Sequence, residues 1–180
     1  MGFFVHDSAF VESEVVIGEG TKIWHHCQVR TGAKLGKNCI LGKGVFIDTK
    51  VLIGNNVKIQ NYVSVYHGVT VDDDVFIGPH AVFTNDLRPR SVATWKIVET
   101  NVQRGASIGA NATIRCGITL GEYSMIGAGA VVVKSVPPYA LVYGNPAQMH
   151  GYVCICGSRL GGNPAELPQK CQECGRTLRI

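Results

Sequence analysis

The sequence predicts an all-β fold: a chain wound as a parallel β-helix, interrupted by one loop excursion and ending in a small cysteine-rich appendage. Three observations carry that reading. An aliphatic or aromatic residue recurs at every sixth position from Val5, Val11, Ile17 and Ile23 through to Phe83, and the rhythm returns from Val102 to Val132. Glycine is abundant at 22 of 180 residues while charged residues make up 17%, a balance that favours strands and turns. Four of the seven cysteines lie beyond residue 153, in two close pairs.

A period of six matches neither the 3.6 of an amphipathic helix nor the 2 of an ordinary strand. A short flat strand followed by a tight turn satisfies it. The large aliphatic residue points inward, and a small or β-branched residue two positions earlier, such as Val15, Thr21, Cys27, Ala33 or Cys39, fills the corner. The glycine that often follows the aliphatic, as at Gly18, Gly36 and Gly54, is read as relaxing the turn. Three such sides close a triangular coil of about 18 residues, and stacked coils pair as parallel strands about 4.8 Å apart. The repeated apolar positions are therefore core, and Cys27 and Cys39 are expected to be buried small hydrophobes. Cys116 falls outside that phase, and its role stays open.

Between Phe83 and Val102 the rhythm breaks, and it resumes one residue out of phase. A solenoid wall is flat, so a site must come from an excursion or from a groove between chains. Residues 84–101 are expected to be that excursion, because loops of this length inside a compact domain usually bind or cover something. Residues 18 apart share a corner, which puts Thr49, His67 and Asn85 in one column and Asp48, Tyr66 and Thr84 in the next. A His–Asn corner beside a loop read as carrying Arg88, Arg90, Lys96 and Arg104 has the ingredients of a site for an anionic substrate. The alternative is that His67 and Asn85 only satisfy turn hydrogen bonds. His25, His26 and His80 lie off this column and are read as structural or solvent-facing.

Net charge is +4, with no run of five basic residues, which suits a small anion and not a nucleic-acid groove. The opening MGFFVHDSAF lacks the features of a signal peptide, and no stretch of about 18 apolar residues offers a membrane span. A cytoplasmic protein without a membrane partner is expected, and in that setting an odd number of cysteines argues against a disulfide framework.

The pattern [Leu/Ile/Val]-Gly-x-x-small-x over roughly residues 3 to 147 resembles the hexapeptide-repeat acyltransferases. That resemblance implies a left-handed helix, against the general right-handed rule for parallel crossovers. The runs KIQNYVSVYHGV, GPHAVFTNDLRPRS and GASIGANATI further resemble the N-acetyltransferases of nucleotide-linked 3-amino sugars. Those enzymes act on UDP-2-acetamido-3-amino-2,3-dideoxyglucuronate or on dTDP-3-amino-3,6-dideoxyhexoses. The Asp86-x-x-Pro89-Arg90-Ser91 stretch is closer to the dTDP group, and Lys58-Ile59-Gln60-Asn61 to the uronate group.

By that likeness the chain is an acetyl-CoA-dependent enzyme of surface-polysaccharide synthesis. Asn85 would orient the sugar amine, Asp86 would help position it, and His67 would be a candidate base. Tyr66, Thr84, Arg88 and Arg90 would surround the acceptor. Coenzyme A would lie along Gly109, Gly127 and Asn145, one expected 18-residue column, and Ala110, Ala128 and Pro146, the next. The segment KSVPPYALVYGNPAQMHG resembles the family's post-repeat signature. The family usually has Lys or Arg where this chain has Gln148, so Lys134 is the substitute candidate for a phosphate contact. Such enzymes are homotrimers with sites between subunits, and a prism wall that offers half a cleft agrees with that.

The repeat domain is thus placed at residues 1–150 and the appendage at 151–180. Within the appendage Cys154-x-Cys156 and Cys171-x-x-Cys174 form two ligand pairs, each followed by glycine, as in a zinc-ribbon-like structural Zn²⁺ site. Two disulfides or a metal-free tail are the alternatives. About 30 residues hold no core unaided, so a metal would supply the folding energy. Two other functions compete: a non-catalytic scaffold that kept only the fold, and a γ-type carbonic anhydrase. The latter needs three convergent His ligands, and the 18-residue register brings no such set together.

Overall fold

The computed structural model describes residues 2–163, 165, 168 and 170–177. Most strands are two residues long, and the second residue of each is the hexad residue. Ile23, Val29 and Leu35 are buried, while Lys22, Gln28 and Lys34 before them face outward. The twofold alternation of β structure thus sits inside the period of six.

The strands stack into three parallel sheets, one per wall of a left-handed triangular helix. Partners lie 18 positions apart: Phe4 with Lys22, Phe10 with Gln28, Val16 with Lys34. The core is a single column that includes Ile23, Leu41, Ile59, Ile77, Ile108 and Ile126. Cys27 and Cys39 are buried, as their phase requires, and their thiols donate across the coil spacing. Cys27 Sγ reaches the Gly42 carbonyl at 2.9 Å and Cys39 Sγ the Gly54 carbonyl at 3.1 Å. Burial pushes both thiols above the ordinary cysteine range.

The glycines after the aliphatic residue do a different job from the one expected. Gly18, Gly36 and Gly54 are not among the positive-φ residues, and a Cβ on Gly36 would run into the Gly54 carbonyl. They permit backbone-to-backbone contact between coils. The left-handed corners lie elsewhere, three positions before most of the aliphatics: Gly20, Gly32 and Gly44, but also Glu14, His26, Asn38 and Tyr62, with φ between 56° and 75°. A non-glycine residue there costs about 1 kcal/mol, and stacking holds it in place.

At the excursion the register jumps. Val69 partners Thr100, Phe76 partners Ser107 and Val82 partners Thr113, each 31 positions apart instead of 18. The strand Thr100–Val102 begins two residues inside the expected 84–101 loop, because the Thr100 amide already reaches the Gly68 carbonyl at 2.9 Å.

The last coil is short: Leu120 bridges Val136 and Ile126 partners Val142, each 16 apart. The chain then doubles back, with Ala147–Val153 antiparallel to Ala140–Gly144 and Arg159–Gly161 antiparallel to it in turn. The boundary expected at residue 150 therefore falls within a strand, and the appendage continues one wall of the helix. No helix among the described residues is long and apolar enough to cross a membrane.

Candidate active site

The edge where the second wall turns into the third collects polar side chains, one pair per coil. At its lower end Arg30 bridges two carboxylates, Glu12 Oε1 at 3.4 Å and Asp48 Oδ1 at 3.1 Å. Glu12 also accepts the amide and hydroxyl of Thr31, both at 2.9 Å. Those bonds, with Arg30 beside them, hold its carboxyl below the ordinary carboxylate range. The ladder ends beneath the site, where Asp48 Oδ2 accepts the backbone amide of His67 at 3.2 Å.

His67 and Asn85 are neighbours on adjacent coils, as the 18-residue column requires. The buried Asn85 amide nitrogen reaches the His67 carbonyl only at 3.5 Å, the outer limit of a hydrogen bond. Neither Asn85 Oδ1 nor the His67 imidazole is hydrogen-bonded among the described residues. Both are free to meet a ligand. Thr84 is committed to the wall, its hydroxyl accepting the Cys116 amide at 3.0 Å. Tyr66 is half-buried and tilts against Phe46 with ring centroids 5.9 Å apart.

The loop leaves and rejoins the wall at this corner. The Val98 amide donates to the Asn85 carbonyl at 2.9 Å, closing the neck. The loop encloses a concavity of about 470 Å³ lined in part by Asp86, Arg88, Lys96 and Val98. Asp86 Oδ1 accepts the Arg88 amide at 2.8 Å and so shapes the turn. Arg90 and Trp95 border a second hollow, with Trp95 64% exposed. Arg104, expected beside this loop, is elsewhere: it pairs with Asp73 at 2.9 Å on another corner, because the 13 residues 86–98 are looped out before the register resumes.

That same jump hid two residues. Carrying the register of Phe83 with Ile114 onward sets Arg115 above Thr84 and Cys116 above Asn85. Ile114 partners Val132, and the expected phosphate residue Lys134 follows where the last coil shortens, so the column is not carried as far as Lys134. Arg115 is exposed and Cys116 buried. Re-phasing the columns by 31 across the loop would have found both.

The expected cofactor columns need correction. Gly109 and Gly127 do stack, and so do Ala110 and Ala128, through the pairing of Ile108 with Ile126. Asn145 and Pro146 do not continue them, because the short last coil puts Tyr143 over Gly127. Those two residues form the turn between Ala140–Gly144 and Ala147–Val153.

The four appendage cysteines converge, with all sulfurs within 4.8 Å of one another. Cys154 and Cys174 lie 3.6 Å apart, and Cys156 and Cys171 lie 3.8 Å apart. A tetrahedral zinc with Zn–S of about 2.3 Å requires sulfur–sulfur edges of about 3.8 Å, so the donor set fits. Each pair rides a turn closed by a left-handed glycine, Gly157 or Gly175. The Ser158 hydroxyl is the chief influence drawing the Cys171 thiol down to about 6, while burial pushes the neighbouring Cys154 thiol up to about 12.

The family model described as "Bacterial transferase hexapeptide (six repeats)" matches residues 14–49, 50–85 and 99–134, and the loop falls in its gap. The dTDP-3-amino-3,6-dideoxy-alpha-D-galactopyranose 3-N-acetyltransferase of Aneurinibacillus thermoaerophilus is 48% identical over 158 residues, covering 87% of this chain and 82% of that protein. A hexapeptide-repeat acetyltransferase of Vibrio cholerae, solved with acetyl coenzyme A, matches with a TM-score of 0.60 at 28% identity, over 68% of this chain and 72% of that one. PerB of Caulobacter crescentus, solved with CoA and GDP-perosamine, shares the fold with a TM-score of 0.52 at 23% identity, over 82% of this chain. The match spans 56% of PerB.

Proposed function

We propose, from the premise that the chain belongs to the bacterial hexapeptide transferases, that it moves the acetyl group of acetyl-CoA onto the 3-amino group of a nucleotide-linked sugar. The acceptor we propose is a dTDP-3-amino-3,6-dideoxyhexose, as the name of its 48% identical relative indicates for that enzyme, and by the family resemblance the product serves surface-polysaccharide synthesis. The observation that carries this reading is the corner itself: Asn85 Oδ1 and the His67 imidazole have no hydrogen-bond partner among the described residues, at the corner where the loop carrying Arg88, Arg90 and Lys96 leaves the wall.

Acetyl transfer needs a neutral amine aligned on the thioester carbonyl. Asn85 Oδ1 accepts an N–H of the amine and points its lone pair outward. As the C–N bond forms the C–S bond breaks, and CoA leaves as a thiolate. His67 takes the amine proton and returns it to that thiolate. Asp86, Arg88 and Arg90, with Tyr66 and Thr84, hold the sugar and its phosphates. Coenzyme A lies along Gly109, Ala110, Gly127 and Ala128, on the edge between the first and second walls, and meets the Asn145–Pro146 turn that extends the first wall, while Arg115 stands on the Asn85 edge above Thr84. A homotrimer supplies the facing half of each cleft. The four thiolates hold a structural zinc, which suits a reducing, cytoplasmic setting.

The test is CoA release by purified protein offered dTDP-3-amino-3,6-dideoxygalactose or UDP-2-acetamido-3-amino-2,3-dideoxyglucuronate. Turnover with the dTDP sugar alone is expected, and turnover with the uronate alone overturns the acceptor. His67→Asn should lower kcat about 100-fold. Unchanged turnover would show that the proton leaves without His67.

A further inference from the structure

We infer that the four-cysteine site is a metal centre that positions the cofactor turn, acting through the strand Ala147–Val153. This rests on the proposed cofactor path, and it goes beyond it by giving the appendage a part in acetyl-CoA binding.

One strand joins the two places. Ala147–Val153 begins at the Asn145–Pro146 turn and ends one residue before Cys154. Its register against Ala140–Gly144 slips midway: Met149 faces Val142, Gly151 faces Leu141, and His150 is the extra residue. A bulge disrupts the ladder locally, so contacts from outside the ladder help to fix the strand there. Several contacts do so from the cysteine side. Arg159 Nη2 donates to the His150 carbonyl at 3.0 Å, and the Val153 amide donates to the Tyr139 carbonyl at 2.8 Å. Gly151 lies so close to the Gly161 carbonyl that a Cβ there would collide with it. On the turn side, the His150 ring stacks on Tyr143 at 3.6 Å and 8°. A shift at His150 therefore moves the residues that flank the turn.

Apolar packing holds the cysteine knuckle weakly. A recess of about 230 Å³ lies between Cys154 and Cys156 and the wall residues Phe76 and Ser107, with the end of the Met125 side chain reaching across to Gly157. Ile155 is 41% exposed, and Cys156 and Cys174 are exposed as well. Without a cation the cluster keeps protons on its sulfurs, and these hold one another only weakly, so the metal is what gathers Cys171 and Cys174 onto the end of the strand.

The experiment compares the full-length protein with Cys171→Ser/Cys174→Ser, and with Arg159→Ala, which spares the ligands and cuts the link to His150. Zinc content, CoA affinity by calorimetry, and hydrogen exchange over residues 145–153 are measured for each. Wild type should carry one zinc per chain. The double variant should carry none, bind CoA about tenfold more weakly, and exchange faster over 145–153, while its affinity for the dTDP sugar stays within twofold. Arg159→Ala should keep the zinc and show a smaller loss in the same direction. Zinc present, with CoA affinity and exchange unchanged on its removal, overturns the inference and leaves the metal reading standing. Wild type free of zinc overturns both. Wild type that carries zinc and binds CoA but acetylates neither sugar counts against the proposed function and not against the metal.

Discussion

Asn85→Ala should lower kcat/KM about 100-fold while leaving the fold intact. The expectation comes from an imbalance in what the side chain does. Its amide nitrogen makes one contact, at 3.5 Å to the His67 carbonyl, and its Oδ1 makes none among the described residues. A bond at that distance contributes little to stability. The neck of the loop is closed by the backbone carbonyl of residue 85, which alanine keeps. What alanine removes is the acceptor that orients the amine, and a misplaced nucleophile costs roughly 100-fold, or about 2.7 kcal/mol of barrier. Steady-state kinetics beside a thermal melt decide the matter. Melting within about 3 °C of wild type with kcat/KM down a hundredfold is the expected pair of results. A melt lowered by about 10 °C, with the rate per folded molecule unchanged, would make Asn85 a structural corner residue only.

Much of this corner can be read from the amino-acid sequence, and the limits of that reading have physical causes. The hexad exposes strand positions and core because one aliphatic residue must enter the prism at every side. The His67–Asn85 column follows from an 18-residue coil, which holds without exception until Phe83. Beyond that point a count of 18 misleads. The loop raises the offset to 31, which hid Arg115 and Cys116 and put Arg104 on the wrong corner. Loss of two residues near Val133–Ser135 lowers the offset to 16, which detached Asn145 and Pro146 from their expected columns. A repeat is legible in sequence while its period holds, and insertions are visible only as a break whose size must be counted into every later column. The appendage could be read from its thiol spacing, but its attachment could not. That depends on backbone pairing, and the composition of Ala147–Val153 does not signal it.

Glycine is where pattern and cause diverge most, and Gly36→Ala tests whether close coil contact is that cause. Alanine at Gly36 should destabilise the chain by about 3 kcal/mol or more, whereas alanine at Gly129 should cost only about 1 kcal/mol. Gly129 has φ +70° and open space where a Cβ would lie, so only backbone strain opposes the change. Gly36 has an ordinary φ, but its Cβ would collide with the Gly54 carbonyl and approach the Asn55 nitrogen to 2.8 Å. The coils cannot move apart there to relieve it. The Gly36 amide is held to the Ile53 carbonyl at 2.8 Å, and the Lys37 amide to Asn55 Oδ1 at 2.8 Å. In a solenoid each coil leans only on its neighbours, so the damage should separate the chain between these two coils. Hydrogen exchange on Gly36→Ala should show lost protection below Gly36 and retained protection from Val63 to Val132. Chemical denaturation of the two variants side by side settles which glycine property matters. If Gly36→Ala proves no worse than Gly129→Ala, conformational freedom and not coil contact explains why glycine follows the aliphatic residue.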